Sequence, residues 1–158
     1  MKGIVIYDTS YGNTQKIAQA IAEVLKESGI EVDTSYVKKV KRLSTKDYGF
    51  LVLGSPTRFG TMSLTVKGFL DKVKSKEWAN KPFAAYDTEN PENIETSRKE
   101  NKNWSAAEKI AEKLKEKQMN QLLPVLKSLV LGAKGPLKEG EIERAKKYGR
   151  QLAVELKK

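Results

Sequence analysis

Residues 3–25, GIVIYDTSYGNTQKIAQAIAEVL, carry the reading that decides the fold. The run GIVIY at 3–7 is short, continuous and β-branched, as expected of a strand buried on both faces. Beyond it, Ile17, Ile21, Val24 and Leu25 recur on one helical face. That spacing predicts a helix over 13–28, closed by Gly29. Between strand and helix, Thr9, Ser10, Gly12, Asn13 and Thr14 crowd into one short loop. A plain turn needs one or two such residues, so this density points to a ligand on the loop.

The same alternation continues along the chain. IEVDTSYV at 30–37 reads as a second strand and FLVLGS at 50–55 as a third, again continuously apolar. Val66, Phe69, Leu70 and Val73 mark a helix at i, i+3, i+4 and i+7. PFAAYD at 82–87 gives a fourth strand, and Ala107, Ile110, Ala111 and Leu114 the next helix. LKSLVLG at 126–132 is the fifth strand, before a helix carrying Ile142, Ala145, Leu152 and Leu156. Five strands interleaved with helices predict an α/β fold, a doubly wound parallel sheet covered on both faces. Residues 1–158 read as a single domain. The segment 88–103, TENPENIETSRKENKN, has Ile94 as its only sizeable apolar side chain and reads as one long irregular loop. Loops of that length serve as lids or binding loops, or stay disordered.

Composition narrows the chemistry. With no cysteine and no histidine, the chain supplies no thiolate, no disulfide, no imidazole base and no zinc site of the usual kind. No stretch approaches the roughly 18–20 apolar residues that span a bilayer, and MKGIVIYDTS runs straight into a strand without the pattern of a secretory signal. A cytoplasmic address is the expectation. The 30 basic and 20 acidic residues leave a net charge of +10. The lysines are spread along the chain, which favours a solvated lysine–glutamate surface over a nucleic-acid site. No aromatic–basic interleaving marks a nucleic-acid recognition surface.

In a doubly wound sheet, ligands bind beyond the carboxyl ends of the strands. The 9–14 loop lies there and leads into a helix N-terminus, whose free amides and positive dipole end favour an anion. Thr9, Ser10 and Thr14 add hydroxyl donors, and Gly12 admits close backbone approach. No lysine or arginine lies within 9–14, so the loop is expected to hold a phosphate monoester by neutral donors alone. The bland alternative is a Ser or Asn cap on an ordinary helix. GxxxxGK[ST] and GxGxxG are both absent, which removes a P-loop nucleotidase and a dinucleotide fingerprint. A response-regulator receiver needs an acidic pair after the first strand, where Asp8 stands alone.

The loop after the third strand, GSPTRFGTM at 54–62, also lies at the carboxyl edge. Pro56 stiffens its entry, Phe59 is an aromatic available to a planar ring, and the amides of 57–61 can reach that ring's polar edge. Phosphate on one loop and a flat heterocycle on the other describe flavin mononucleotide (FMN).

On these motifs the chain resembles the flavodoxin-like family over essentially its whole length. Thr9, Gly12 and Thr14 match the family's phosphate loop, with Tyr11 in place of its third-position threonine. YGNT is similar to the loop of flavodoxin domains fused to diiron flavoproteins. GSPTRFGTM followed by FLD is similar to the second flavin loop of NAD(P)H:quinone oxidoreductases of the tryptophan-repressor-binding-protein type. The resemblance implies a three-layer sandwich with a five-stranded parallel sheet in the order 2-1-3-4-5. It implies FMN contacts from Thr9, Ser10, Tyr11, Gly12, Asn13 and Thr14, from Pro56, Thr57, Arg58, Phe59 and Gly60, and from Asp87 and Thr88. It makes Gly60 the residue whose peptide rotates toward the reduced ring.

The glycine-rich, histidine-bearing third loop of the quinone reductases is absent. An aromatic flanking the ring would have to be Tyr86 or Trp104. Tyr86 also reads as core, Trp104 as a staple before the cap Ser105, and Trp78 as packing. Three functions stay open: an FMN-binding electron carrier, an FMN-dependent NAD(P)H or quinone oxidoreductase, and a flavin-free binding module. The positive charge implies an acidic redox partner, and Arg58, within the flavin loop, is expected to ease addition of the second electron.

Overall fold

The computed structural model describes residues 1–100 and 104–158. Strands β1 (Lys2–Tyr7), β2 (Glu31–Tyr36), β3 (Phe50–Pro56), β4 (Pro82–Glu89), β5 (Asn120–Gln121) and β6 (Leu126–Leu129) form one sheet. Helices α1 (Asn13–Glu27), α2 (Leu64–Leu70), α3 (Ser75–Trp78), α4 (Pro91–Glu100), α5 (Ala106–Glu116) and α6 (Glu141–Leu156) connect and cover it. The order is β2-β1-β3-β4-β5, all pairs parallel, with β6 also on β4. This is the 2-1-3-4-5 arrangement of an α/β three-layer sandwich.

The fifth strand, expected over 126–132, is the shorter β6, and a separate two-residue β5 precedes it; the two pair successive parts of β4. Pro124 lies in the gap and has no N–H to give to a ladder. β6 also stops at Leu129, because the chain turns back: Val130 bridges antiparallel to Leu137.

Alternate strand side chains feed two separate cores. Ile6, Leu53 and Phe83 pack on the side of α2 and α5, around the fully buried Trp78. Val5, Val52 and Tyr86 pack on the side of α1 and α6. Both cores are dense at the middle of the sheet, which leaves the carboxyl ends of the strands to loops.

The irregular loop expected over 88–103 is a correction. β4 runs on to Glu89, and Pro91–Glu100 is helix α4; residues 101–103 lie outside the described residues. Asn90 caps the helix through Oδ1, which accepts the Asn93 amide at 2.9 Å, and Pro91 takes the first position, where its missing N–H costs nothing. Among the described residues no helix is long and apolar enough to cross a membrane.

Candidate functional site

The site begins where β1 ends. Asp8 is buried, and its Oδ1 accepts the Thr9 amide at 2.9 Å. Thr9 Oγ1 then accepts the Gly12 amide at 2.8 Å, drawing the loop into a tight turn. Gly12 itself is the residue before α1, with φ of 89°, a conformation that costs a side-chain-bearing residue. Among the described residues no side chain caps the helix, so the bland alternative of a Ser or Asn cap is not what the loop forms. The first-turn amides therefore open at the loop with the positive end of the dipole behind them.

A cavity of about 380 Å³ lies over this turn, walled by Thr9, Ser10, Tyr11, Asn13 and Thr14. Pro56 and Arg58 of the second loop and Thr88 of β4 complete the expected wall. Thr14 Oγ1 and Thr88 Oγ1 share a hydrogen bond of 2.8 Å, both side chains nearly enclosed. Arg58 Nη2 donates to Ser10 Oγ, which ties the second loop to the first. Asn90, Val130, Gly132 and Ala133 also line the cavity and were not among the expected residues. The glycines of LGAKG, directly after the fifth strand, were the available signal, since that loop shares the same sheet edge.

The second loop is a hairpin at its tip. Arg58 and Thr61 exchange backbone hydrogen bonds at 2.9 and 3.1 Å, with Phe59 and Gly60 between them at φ of 50° and 75°. Two positive-φ residues make a mirror-image turn, which suits glycine and strains phenylalanine. Phe59 projects with 96 % of its surface exposed. It lines an adjoining cleft of about 440 Å³ with Thr9, Ser10, Arg58 and Met62. Gly60, by contrast, is covered: a Cβ there would stand 1.2 Å from Trp104 Cδ1. Trp104 is held in turn by α4, its carbonyl accepting from Asn93 Nδ2 at 2.5 Å and its amide donating to Ser97 Oγ at 3.2 Å. Of the two flanking aromatics considered, Trp104 reaches the second loop. Tyr86 is fully buried and donates to the Ile6 carbonyl at 3.3 Å.

Asp87 and Thr57 take a different place from the one expected. Asp87 is fully buried, and its Oδ2 accepts from Thr57 Oγ1, Ser105 Oγ and the Ala107 amide at 3.1, 2.8 and 3.0 Å. Thr57 Oγ1 also accepts the Ala106 amide at 3.0 Å. The pair thus clamps the second loop to the start of α5, behind the cavity wall. Glu89, two residues on and on the same strand face, is buried beside Asp87. Among the described residues Asp87 Oδ1 and Glu89 Oε2 have no conventional donor. Two enclosed carboxyls side by side disfavour ionisation of both. Burial, then repulsion from Asp87, pushes Glu89 up to about 8, and burial raises Asp87 as well. Glu89 was missed because an acidic residue at a strand end reads as solvated; the i, i+2 pair in DTE was the available hint.

A flavodoxin domain model matches residues 4–133, and the chain belongs to that family. It is 37 % identical over 78 residues to a flavodoxin of Aquifex aeolicus, covering 49 % of this chain and 42 % of that protein. It is 33 % identical over 93 residues to an NAD(P)H dehydrogenase (quinone) of Archaeoglobus fulgidus, covering 43 % and 49 %. The matched stretches thus span about half or less of these relatives. Among solved structures, a flavodoxin from the domain Archaea superposes with a TM-score of 0.80 at 26 % identity, covering 100 % of both chains. Fold and relatives together support a flavin-binding redox function.

Proposed function

We propose that this chain binds FMN and carries electrons to an acidic redox partner. The observation that carries the reading is the uncapped N-terminus of α1 opening on a hydroxyl-walled cavity that the second loop also lines. The residues present fit the group. Thr9, Ser10, Asn13 and Thr14 would hold the phosphate, with donors fixed before it arrives. Pro56, Phe59 and Gly60 would border the ring, with Arg58 reaching across to Ser10 on the phosphate loop. When bound, FMN supplies the electron chemistry; the chain needs no acid or base of its own for transfer. Its residues bind, orient and partly enclose, and Phe59 keeps one approach to the cleft apolar.

A second reading, an FMN-dependent NAD(P)H or quinone oxidoreductase, draws on the relative of that name in Archaeoglobus fulgidus. The two are separated by mixing the flavin-loaded chain with NADH or NADPH. Bleaching of the flavin absorbance by pyridine nucleotide alone favours the enzyme; its persistence favours the carrier. The cofactor itself is tested by denaturing the purified chain and identifying what is released. One FMN per chain is expected. A colourless preparation that also refuses added FMN would support the flavin-free module instead.

A further inference from the structure

Residues 9–14 contain no cation, yet the fold brings one to that loop from each of two other loops. Arg58 reaches across from the β3–α2 loop, donates to Ser10 Oγ and lines the cavity itself. Lys134 follows Gly132 and Ala133, which line the same cavity. Its carbonyl accepts from Asn13 Nδ2 at 3.2 Å, and its ammonium stands 6.0 Å from the centre of the Tyr11 ring. Among the described residues neither cation is paired with a carboxylate.

We propose that Arg58 and Lys134 are directed at the phosphate: they recognise the charge of a phosphate monoester at the α1 N-terminus and set the preference for phosphorylated over unphosphorylated flavin. The inference rests on the FMN reading and departs from the expectation that neutral donors act alone. A phosphate monoester carries about −1.5 to −2 at pH 7, whereas a helix terminus offers the equivalent of about half a positive charge. Hydroxyls and amides can hold such an anion by their dipoles, and two cations would add full positive charge to them. Arginine adds a planar fork matched to phosphate oxygens. Lysine adds a point charge, on a loop that the Asn13 bond has already tied to the helix.

Arg58→Gln and Lys134→Gln remove the charge and leave a shorter, uncharged side chain that can still hydrogen-bond. Dissociation constants for FMN and for riboflavin are measured side by side, from the quenching of flavin emission, at low and raised KCl. Each substitution should weaken FMN about tenfold and leave riboflavin within about twofold. The preference for FMN should fall with salt in the parent and much less in the double variant, because both cations are exposed and screened. Equal loss for both ligands, or unchanged FMN affinity, would overturn the inference while the FMN reading stands. A parent that binds neither flavin would overturn both.

Discussion

The buried Glu89 beside Asp87, its carboxyl raised by burial and by that neighbour, implies a pH dependence whose sign follows from the direction of the shift. Glu89 in the fold holds its proton up to about 8, while in the unfolded chain it releases it in the usual carboxylate range, near 4.5. Between those values the native state binds more protons than the unfolded one, so stability falls as pH rises and levels off above about 8. Glu89→Gln keeps the shape and a hydrogen for Asp87 but cannot ionise. In urea titrations at pH 5, 7 and 9 the parent should lose stability steadily while the variant loses much less. Parallel pH profiles would show that Glu89 does not carry a raised proton in the fold. At the same scale, Thr14→Val removes one partner of an enclosed hydroxyl pair and leaves Thr88 Oγ1 unpaired. It should lower both FMN affinity and unfolding stability by about 1–3 kcal/mol, read by calorimetry of binding and by thermal melting.

The elements differ in how openly the sequence declares them, for physical reasons. Parallel strands buried on both faces must be apolar throughout, so β1, β3 and most of β4 stand out as unbroken runs. Helix α4 declares nothing by periodicity, because none of its residues is buried. Only its start is written locally, in Asn90 and Pro91. The gap between β5 and β6 was likewise readable at Pro124 alone. For the site, loops one and two were legible because their donors are dense in sequence. Glu89, the LGAKG residues and the Trp104–Gly60 contact were not, since tertiary structure brings them together. That contact yields an element-scale prediction. Gly60→Ala sets a Cβ against the indole and strains a residue at φ of 75°, and should cost about 1–3 kcal/mol. Trp104→Ala should restore part of the loss in a double-mutant cycle. Additive losses in that cycle would mean that α4 and the second loop are independent.

At the scale of the whole molecule, the net charge of +10 is carried mainly by exposed lysines. Such charges act over about 10 Å at moderate salt, so they steer encounters more than they tune the site. Arg58, expected from sequence to act on the ring, donates to Ser10 on the phosphate loop, the contact on which its proposed role at the phosphate rests. Association with an acidic partner should slow as salt rises, seen by stopped-flow mixing with a strongly acidic electron-transfer protein; a salt-independent rate would mean that the surface charge does not guide docking. The central claim is that the phosphate end anchors a flavin on the carboxyl edge of this sheet. It is tested most directly by titrating the apo-chain with FMN and with lumiflavin, which has the ring but neither ribityl chain nor phosphate. The account predicts saturation at one FMN per chain, with lumiflavin bound at least about a hundredfold more weakly, since several charge-assisted hydrogen bonds are lost with the phosphate. Equal affinity for the two, or no saturable binding of FMN, would contradict it.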